Sequence, residues 1–302
     1  MHQQQAIVLA AFGTTAETAL EDIVGIRAAM EAAYPQVPVR LAFTSSQIRR
    51  TWHQRAGDPA YRAAHPGISG EIFRIQGVLA AIATLQEQGY GVQIIQPAQI
   101  VPAEEFHDLA AHVRALASIR TMQPRRRPFH TLALGRPLLG AYDSRHPYSD
   151  DILAVALALR DDAALARSHK AALVYMGHGN PAFPNGGLYL ECAERMRQLY
   201  PETLTLIGAM EGFPSLETIS ADLRRNGARR VLLKPFLVVA GKHALEDMAG
   251  EHEDSWRSRL VRDGFEVIVA ADSLSAQPEV VRLFVAHAAD AAADAGVELR
   301  PC

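Results

Sequence analysis

The chain is poor in the residues that would cross-link it or fix it to a membrane. Only Cys192 and Cys302 of its 302 residues are cysteine, which excludes a disulfide framework and a CxxC metal clip and suits a reducing compartment. The first apolar run, residues 6–12, is too short for a signal-peptide core or a membrane span, and no Lys or Arg precedes it. No GxxxxGK[ST] loop occurs, and Gly13 stands in no GxGxxG pattern, so no motif calls for ATP or a dinucleotide. A net charge of −3 gives no pull toward nucleic acid or an anionic membrane. The one basic run, Arg125, Arg126 and Arg127, reads as a solvated loop. The expectation is a cytoplasmic protein with no nucleotide, no nucleic-acid partner and no membrane partner, for which a homo-oligomer is compatible.

What is present is an alternation. Short apolar runs at residues 6–12, 37–43, 91–96, 171–176, 203–209, 230–239 and 265–270 suit strands buried on both faces of a parallel sheet. Residues 131–139 read as the strand that finishes the first sheet. Helical spacing fills the gaps, for example Leu20, Ile23, Ile26 and Met30, or Leu216, Ile219 and Leu223. The fold class is therefore α/β with parallel sheets. The chain also resembles itself: aligning residues 6–14 with 171–180 sets Phe12 opposite His178 and Gly13 opposite Gly179. Gln96-Pro97, with Glu105 eight residues past the proline, matches Lys234-Pro235, with His243 eight residues past it. Such self-similarity predicts a duplication, with domains at 1–144 and 145–302.

In an open parallel sheet, ligands bind beyond the carboxyl ends of the strands. That rule selects Gly13, Thr14, Thr15, Ser45, Ser46, Glu104, Glu105, His178, Gly179, Asn180, Glu211, Gly212, Lys242 and His243. Two imidazoles and a carboxylate, His178, His243 and Glu211, make a borderline donor set for Co²⁺, Ni²⁺, Fe²⁺ or Zn²⁺. The residue types alone leave open that His178 caps a turn, Glu211 is a surface acid and His243 begins a helix. Glu104 and Glu105 suit proton traffic or the positive end of the helix near Phe106. Thr14-Thr15-Ala16-Glu17 has capping-box spacing. The acidic group Glu246, Asp247, Glu251, Glu253 and Asp254 with His252 reads as a solvated face, although His243 and Asp247 stand at i, i+4.

Several stretches together resemble the anaerobic-type sirohydrochlorin cobaltochelatases of cobalamin biosynthesis, class II chelatases related to ferrochelatase. They are Ala10-Ala-Phe-Gly-Thr-Thr15, Gln96-Pro97, Pro102-Ala-Glu-Glu-Phe106, Met176-Gly-His-Gly-Asn180, Met210-Glu-Gly212, and residues 239–250 running on to Asp254-Ser-Trp256. The resemblance implies two flavodoxin-like domains related by a pseudo-twofold, and ATP-independent insertion of Co²⁺ into sirohydrochlorin. It implies His178, Glu211 and His243 as metal ligands, with His178, His243 and Glu105 as the catalytic groups. Phe12, Gly13, Thr14, Thr15, Ser45 and Arg49 are the expected substrate-binding residues, and Arg49, Arg145 or Lys242 would orient the substrate's carboxylates. Residues 120–136 look like extra length relative to that family. No histidine lies in residues 96–102, so no haem is expected. Ferrochelation of sirohydrochlorin for sirohaem, and a non-enzymatic tetrapyrrole or metal carrier, are the alternatives.

Overall fold

The computed structural model describes residues 4–299, so Cys302 lies outside the described residues. The chain forms two compact units. The first runs to Gln99, takes in Glu104–Pro137 and includes the stretch from Phe284 on; the second comprises Ile100–Ala103 and Leu138–Leu283.

In the first unit the order is β1 (Gln5–Ala11), α1 (Glu17–Ala33), β2 (Val39–Phe43), α2 (Ser46–Ala56), α3 (Pro59–Ala64), α4 (Val78–Glu87), β3 (Val92–Ala98), α5 (Glu104–Ala117) and β4 (Thr131–Leu134). The strands pair in the order β2-β1-β3-β4, all parallel. Residues 6–11 of β1 are buried on both faces, as a continuous apolar run requires. One face packs Ala6, Val8, Ala10 and Ile95 against Ile82 and Leu85 of α4 and Leu109 and Val113 of α5. Helix α1 buries the stripe Leu20, Ile23, Ile26 and Met30; each such side chain contributes about 1.5–3 kcal/mol. The segment after α5 is a largely exposed loop holding the three arginines, and it leads into the fourth strand.

The second unit holds α6 (Tyr148–Ala158), α7 (Arg160–Ser168), β5 (Ala172–Gly179), α8 (Gly186–Leu199), β6 (Thr205–Glu211), α9 (Leu216–Arg225), β7 (Arg230–Phe236), α10 (Lys242–Ala249), α11 (Trp256–Arg262) and β8 (Glu266–Val269), followed by the start of α12 (Pro278–Asp294). Its sheet repeats the order, β6-β5-β7-β8, again parallel. Val174, Met176, Val231 and Leu233 pack on Ile219 and Leu223 of α9, Met248 of α10 and Trp256 and Leu260 of α11.

The pairing registers make the repeat exact to the residue at the strand ends. Pro97 lies beside Ala10, which lies beside Ala42; Pro235 lies beside Met176, which lies beside Gly208. Two residues past Ala10 and Met176 come Phe12 and His178, and three past Ala42 and Gly208 come Ser45 and Glu211. Eight past each proline come Glu105 and His243.

A single cut at 144/145 does not describe the division. Leu138 and Leu139 are fully buried, and Leu139 N–H donates to Ile100 O at 2.8 Å within the second unit. The later part of α12 belongs to the first unit, where Asp290 pairs with Arg136 at 2.9 Å and buried His287 places Nδ1 3.2 Å from Arg136 O.

Candidate functional site

The three nitrogen and carboxylate donors all belong to the second unit: His178 and Glu211 stand at the carboxyl ends of the adjacent strands β5 and β6, and His243 opens the helix that follows β7. His178 is the penultimate residue of β5 and is exposed. Its Nδ1 lies 3.1 Å from Gly179 O; a carbonyl only accepts, so a hydrogen bond there puts the proton on Nδ1 and leaves the Nε2 lone pair for a metal. Glu211, also exposed, ends β6 as the register partner of Gly179. The strands touch at that point because Gly179 has φ +75° and a Cβ on it would fall 2.0 Å from Glu211 O. His243 is the second residue of α10, with its side chain 98% exposed. Its Nδ1 is 3.7 Å from Glu246 Oε2, too long for a hydrogen bond, so the neighbour it meets is at i, i+3. Among the described residues, no three His, Cys, Asp or Glu side chains gather into a ready cage for an ion.

In the first unit the corresponding rim is largely committed to its own structure. Gly13, with φ +99°, packs so closely on Phe43 that a Cβ would sit 2.6 Å from its ring. Thr14 is buried and its Oγ1 accepts from Ala16 N–H at 3.1 Å. This replaces the expected capping box: α1 has Ala16 at its N-cap with no side-chain cap, and Glu17 instead receives the Tyr61 hydroxyl at 2.7 Å. Ser45 caps α2 through Ile48 N–H. Arg49 donates to Phe43 O at 2.5 Å and Thr44 O at 2.8 Å, and burial lowers its pKa; its fork tidies the end of β2. Phe12, by contrast, is 50% exposed at the tip of β1. Glu105 sits in the first turn of α5, which begins at Glu104, two residues earlier than expected; its Oε2 accepts from Gln99 Nε2 at 3.4 Å.

A family model, cobalt chelatase (CbiK), matches residues 5–293. The chain belongs to this family. It is 29% identical over 287 residues to the sirohydrochlorin cobaltochelatase of Salmonella typhimurium, covering 94% of this chain and 95% of the relative. With the sirohydrochlorin cobaltochelatase CbiKC of Nitratidesulfovibrio vulgaris it shares 31% over 265 residues, 88% of this chain and 82% of that one. A Bacillus subtilis SirB structure with Fe³⁺ superposes with a TM-score of 0.64 at 14% identity, covering 99% of this chain and all of that one, a likeness of fold alone.

In this CbiK-family chain, two supporting groups beneath the donor rim escaped the sequence reading. Tyr189 of α8 is 2% exposed, interacts through its hydroxyl with the Gly179 backbone beside His178, and is pushed up to about 12 by burial. Lys234, buried within β7, contacts Asp162 Oδ1 at 2.7 Å, while Tyr175 and Gln277 both donate to Asp162 Oδ2, at 2.6 and 2.7 Å. A lysine inside the apolar run 230–239 was the available signal, since a fully buried lysine needs a partner. Cys192 is no metal ligand: it is fully buried in α8, and desolvation pushes its thiol up to about 12. The acidic group after α10 is solvated, with Glu253 facing Arg262 at 3.8 Å. Lys242 lies 3.7 Å from Glu246 and is 79% exposed. Arg145 N–H donates to Asp143 Oδ1 at 2.8 Å and is the first cause holding that carboxyl below its usual range.

Proposed function

We propose that this cobalt chelatase inserts Co²⁺ into sirohydrochlorin without nucleotide, the ion being held by His178, Glu211 and His243. The observation that carries the ligand assignment is the exposure of all three donors at the carboxyl ends of β5, β6 and just beyond β7, above an apolar sheet. Co²⁺ here is substrate: it must be bound and then surrendered to the macrocycle. Exposed ligands suit that transfer, since the ion can exchange them for pyrrole nitrogens without a buried charge being stranded. The ligand chemistry, two imidazoles with one carboxylate, matches a borderline cation.

Insertion releases two pyrrole protons for each ion that enters. A neutral histidine accepts a proton near pH 7, and Glu105 is assigned as the further acceptor, positioned in the first turn of α5. Phe12, Gly13, Thr14 and Thr15 supply contacts to the macrocycle, with Phe12 offering the ring. Ser45 and Arg49 act behind them as cap and strand-end brace. Arg145 and Lys242 are the cations assigned to the substrate's carboxylates. The reaction is assigned to the reducing cytoplasm, where Cys192 stays a thiol; among the described residues no helix is long and apolar enough to cross a membrane.

The test is anaerobic absorbance spectroscopy of purified protein with sirohydrochlorin and Co²⁺, with Fe²⁺ in a parallel arm, both without ATP. Multiple turnovers with Co²⁺ above the uncatalysed rate are expected. One equivalent converted and no more would make the protein a carrier, and turnover confined to Fe²⁺ would make it a ferrochelatase.

A further inference from the structure

Residues 13–15 follow β1 without regular structure, yet two consecutive carbonyls of this loop are engaged by side chains of α2. Trp52 is fully buried and donates Nε1–H to Thr14 O at 2.8 Å. Arg55 donates to Thr15 O at 2.7 Å. The Arg55 guanidinium is sandwiched between aromatic rings, 4.6 Å from the centroid of Trp52 and 4.9 Å from that of Tyr61. Phe73 meets Trp52 and Tyr61 edge-on at 6.0 and 6.4 Å. Tyr61 reaches the far end of the loop through Glu17 Oε1, and His65, stacked on Tyr61 at 4.0 Å, places Nε2 3.0 Å from the same oxygen.

Aromatic packing alone would explain a buried Trp52. It does not explain why the polar atoms of both Trp52 and Arg55 end on adjacent carbonyls of one loop. In a planar trans peptide the N–H opposes the C=O. Two donations from α2 therefore turn the Thr15 N–H away from α2, while the Ala16 N–H is taken by Thr14 Oγ1. The orientation of the Thr14–Thr15 and Thr15–Ala16 peptides is thus held from α2, by the Trp52 indole at one carbonyl and by the cation packed between the two rings at the other.

We propose that Trp52 and Arg55 are positioning residues for the tetrapyrrole, shaping the loop that presents Phe12 and Thr15 to it. The inference rests on the proposed function, which gives that loop its ligand. Trp52→Phe keeps an aromatic ring and removes the donor; Arg55→Met keeps the stem and removes the charge and donor; Arg55→Lys restores a donor. For each variant, the sirohydrochlorin Kd by absorbance titration, KM and kcat for Co²⁺ insertion, Co²⁺ affinity and Tm are measured. Trp52→Phe and Arg55→Met are expected to raise sirohydrochlorin Kd and KM about five- to tenfold, the worth of one hydrogen bond, with kcat within about twofold and Co²⁺ affinity unchanged. Arg55→Lys should recover part of the loss. A lowered Tm with unchanged Kd and KM would overturn the proposal and leave a packing role only. A wild type that binds sirohydrochlorin but does not turn over would sink the proposed function, while the Kd comparison would still decide the role of Trp52 and Arg55. A wild type that binds no sirohydrochlorin would overturn both.

Discussion

Gly179→Ala tests whether the contact between β5 and β6 sets the placement of His178 and Glu211. Gly179 has φ +75°, where an L side chain costs about 1–2 kcal/mol. The added Cβ would lie 2.0 Å from Glu211 O, whereas ordinary contact begins at 3.4 Å, so one backbone must give by more than an ångström. The obstacle is main chain, which cannot swing aside as a side-chain tip can. Overpacking of this kind adds about 1–3 kcal/mol, for a total near 2–5 kcal/mol, and Tm should fall by roughly 4–20 °C. The shift lands on the two residues that flank the clash, and a misplacement of about 1 Å is enough for a loss on the order of 10²-fold. Differential scanning calorimetry gives the first quantity, and Co²⁺ titration with the insertion assay gives the second. Gly187→Ala is the control, because its Cβ meets nothing within 4 Å and it lies in α8; it should be neutral or slightly stabilising. A folded Gly179→Ala protein with wild-type Co²⁺ affinity and turnover would refute the placement of the ligands at this contact.

The other expectations use the same assays. His178→Ala and His243→Ala should each abolish most insertion while moving stability by no more than about 0.5 kcal/mol, because exposed side chains carry little packing; a parallel collapse of Tm would make them structural. Glu105→Gln should retain Co²⁺ and sirohydrochlorin binding but turn over about 10²–10⁴-fold more slowly, and wild-type turnover would reduce it to a helix-terminus charge. Lys234→Met should cost about 3 kcal/mol by calorimetry, since Asp162 keeps Tyr175 and Gln277 as donors. Asp162→Leu should cost more by stranding all three donors, and the reverse order would contradict the network. Glu217 is held down to about 2 by the Ser215 hydroxyl first and by Arg259. Its folded pKa lies below its unfolded one, so its stabilisation is present above about pH 4.5 and fades as pH falls toward 2. At 66% exposure the effect is screened, and Glu217→Gln should lower Tm by about 1–2 °C at pH 7 and by nothing near pH 2.

The central strands β1, β3 and β7 were legible because they are buried almost throughout. A run such as residues 230–239 carries one strong signal, and the observed β7 starts at the expected residue. The repeat was legible because Pro97 and Pro235 mark the same register position in two sheets. The unit boundary was not, because Leu138 and Leu139 read as a continuation of β4 and only their burial beside Ile100 places them in the second unit. The capping box failed for a related reason: Thr14 and Glu17 have the right spacing, but Tyr61 and His65, remote in sequence, take the Glu17 carboxylate, while Thr14 Oγ1 accepts from Ala16 N–H. Arg49 was expected to orient the substrate's carboxylates. Nothing within a few residues of it announces that two carbonyls at the end of β2 will claim its guanidinium.

The duplication also bears on the division of labour that we propose between the units. Three equivalent rim positions hold Phe12, Ser45 and Glu105 in one unit and His178, Glu211 and His243 in the other. The first set offers a ring, a hydroxyl already spent on capping α2, and one carboxylate. It contains no imidazole, and a hydroxyl with one carboxylate is a hard oxygen set, poorly matched to Co²⁺. The second set contains two imidazoles whose Nε2 atoms are uncommitted by the hydrogen bonds that the rim makes. On the proposed assignment, one scaffold supplies an apolar and proton-accepting rim in one copy and an ion-holding rim in the other. On this argument, giving the first unit the whole donor set at its own equivalent positions should give it metal affinity of its own. In a His178→Ala background, which should have lost most Co²⁺ binding, Phe12→His, Ser45→Glu and Glu105→His together place two imidazoles and a carboxylate at those register positions. Partial recovery of Co²⁺ binding in a folded variant would show that the register positions themselves make an ion-holding rim. Binding no better than His178→Ala alone would overturn the equivalence of the two rims.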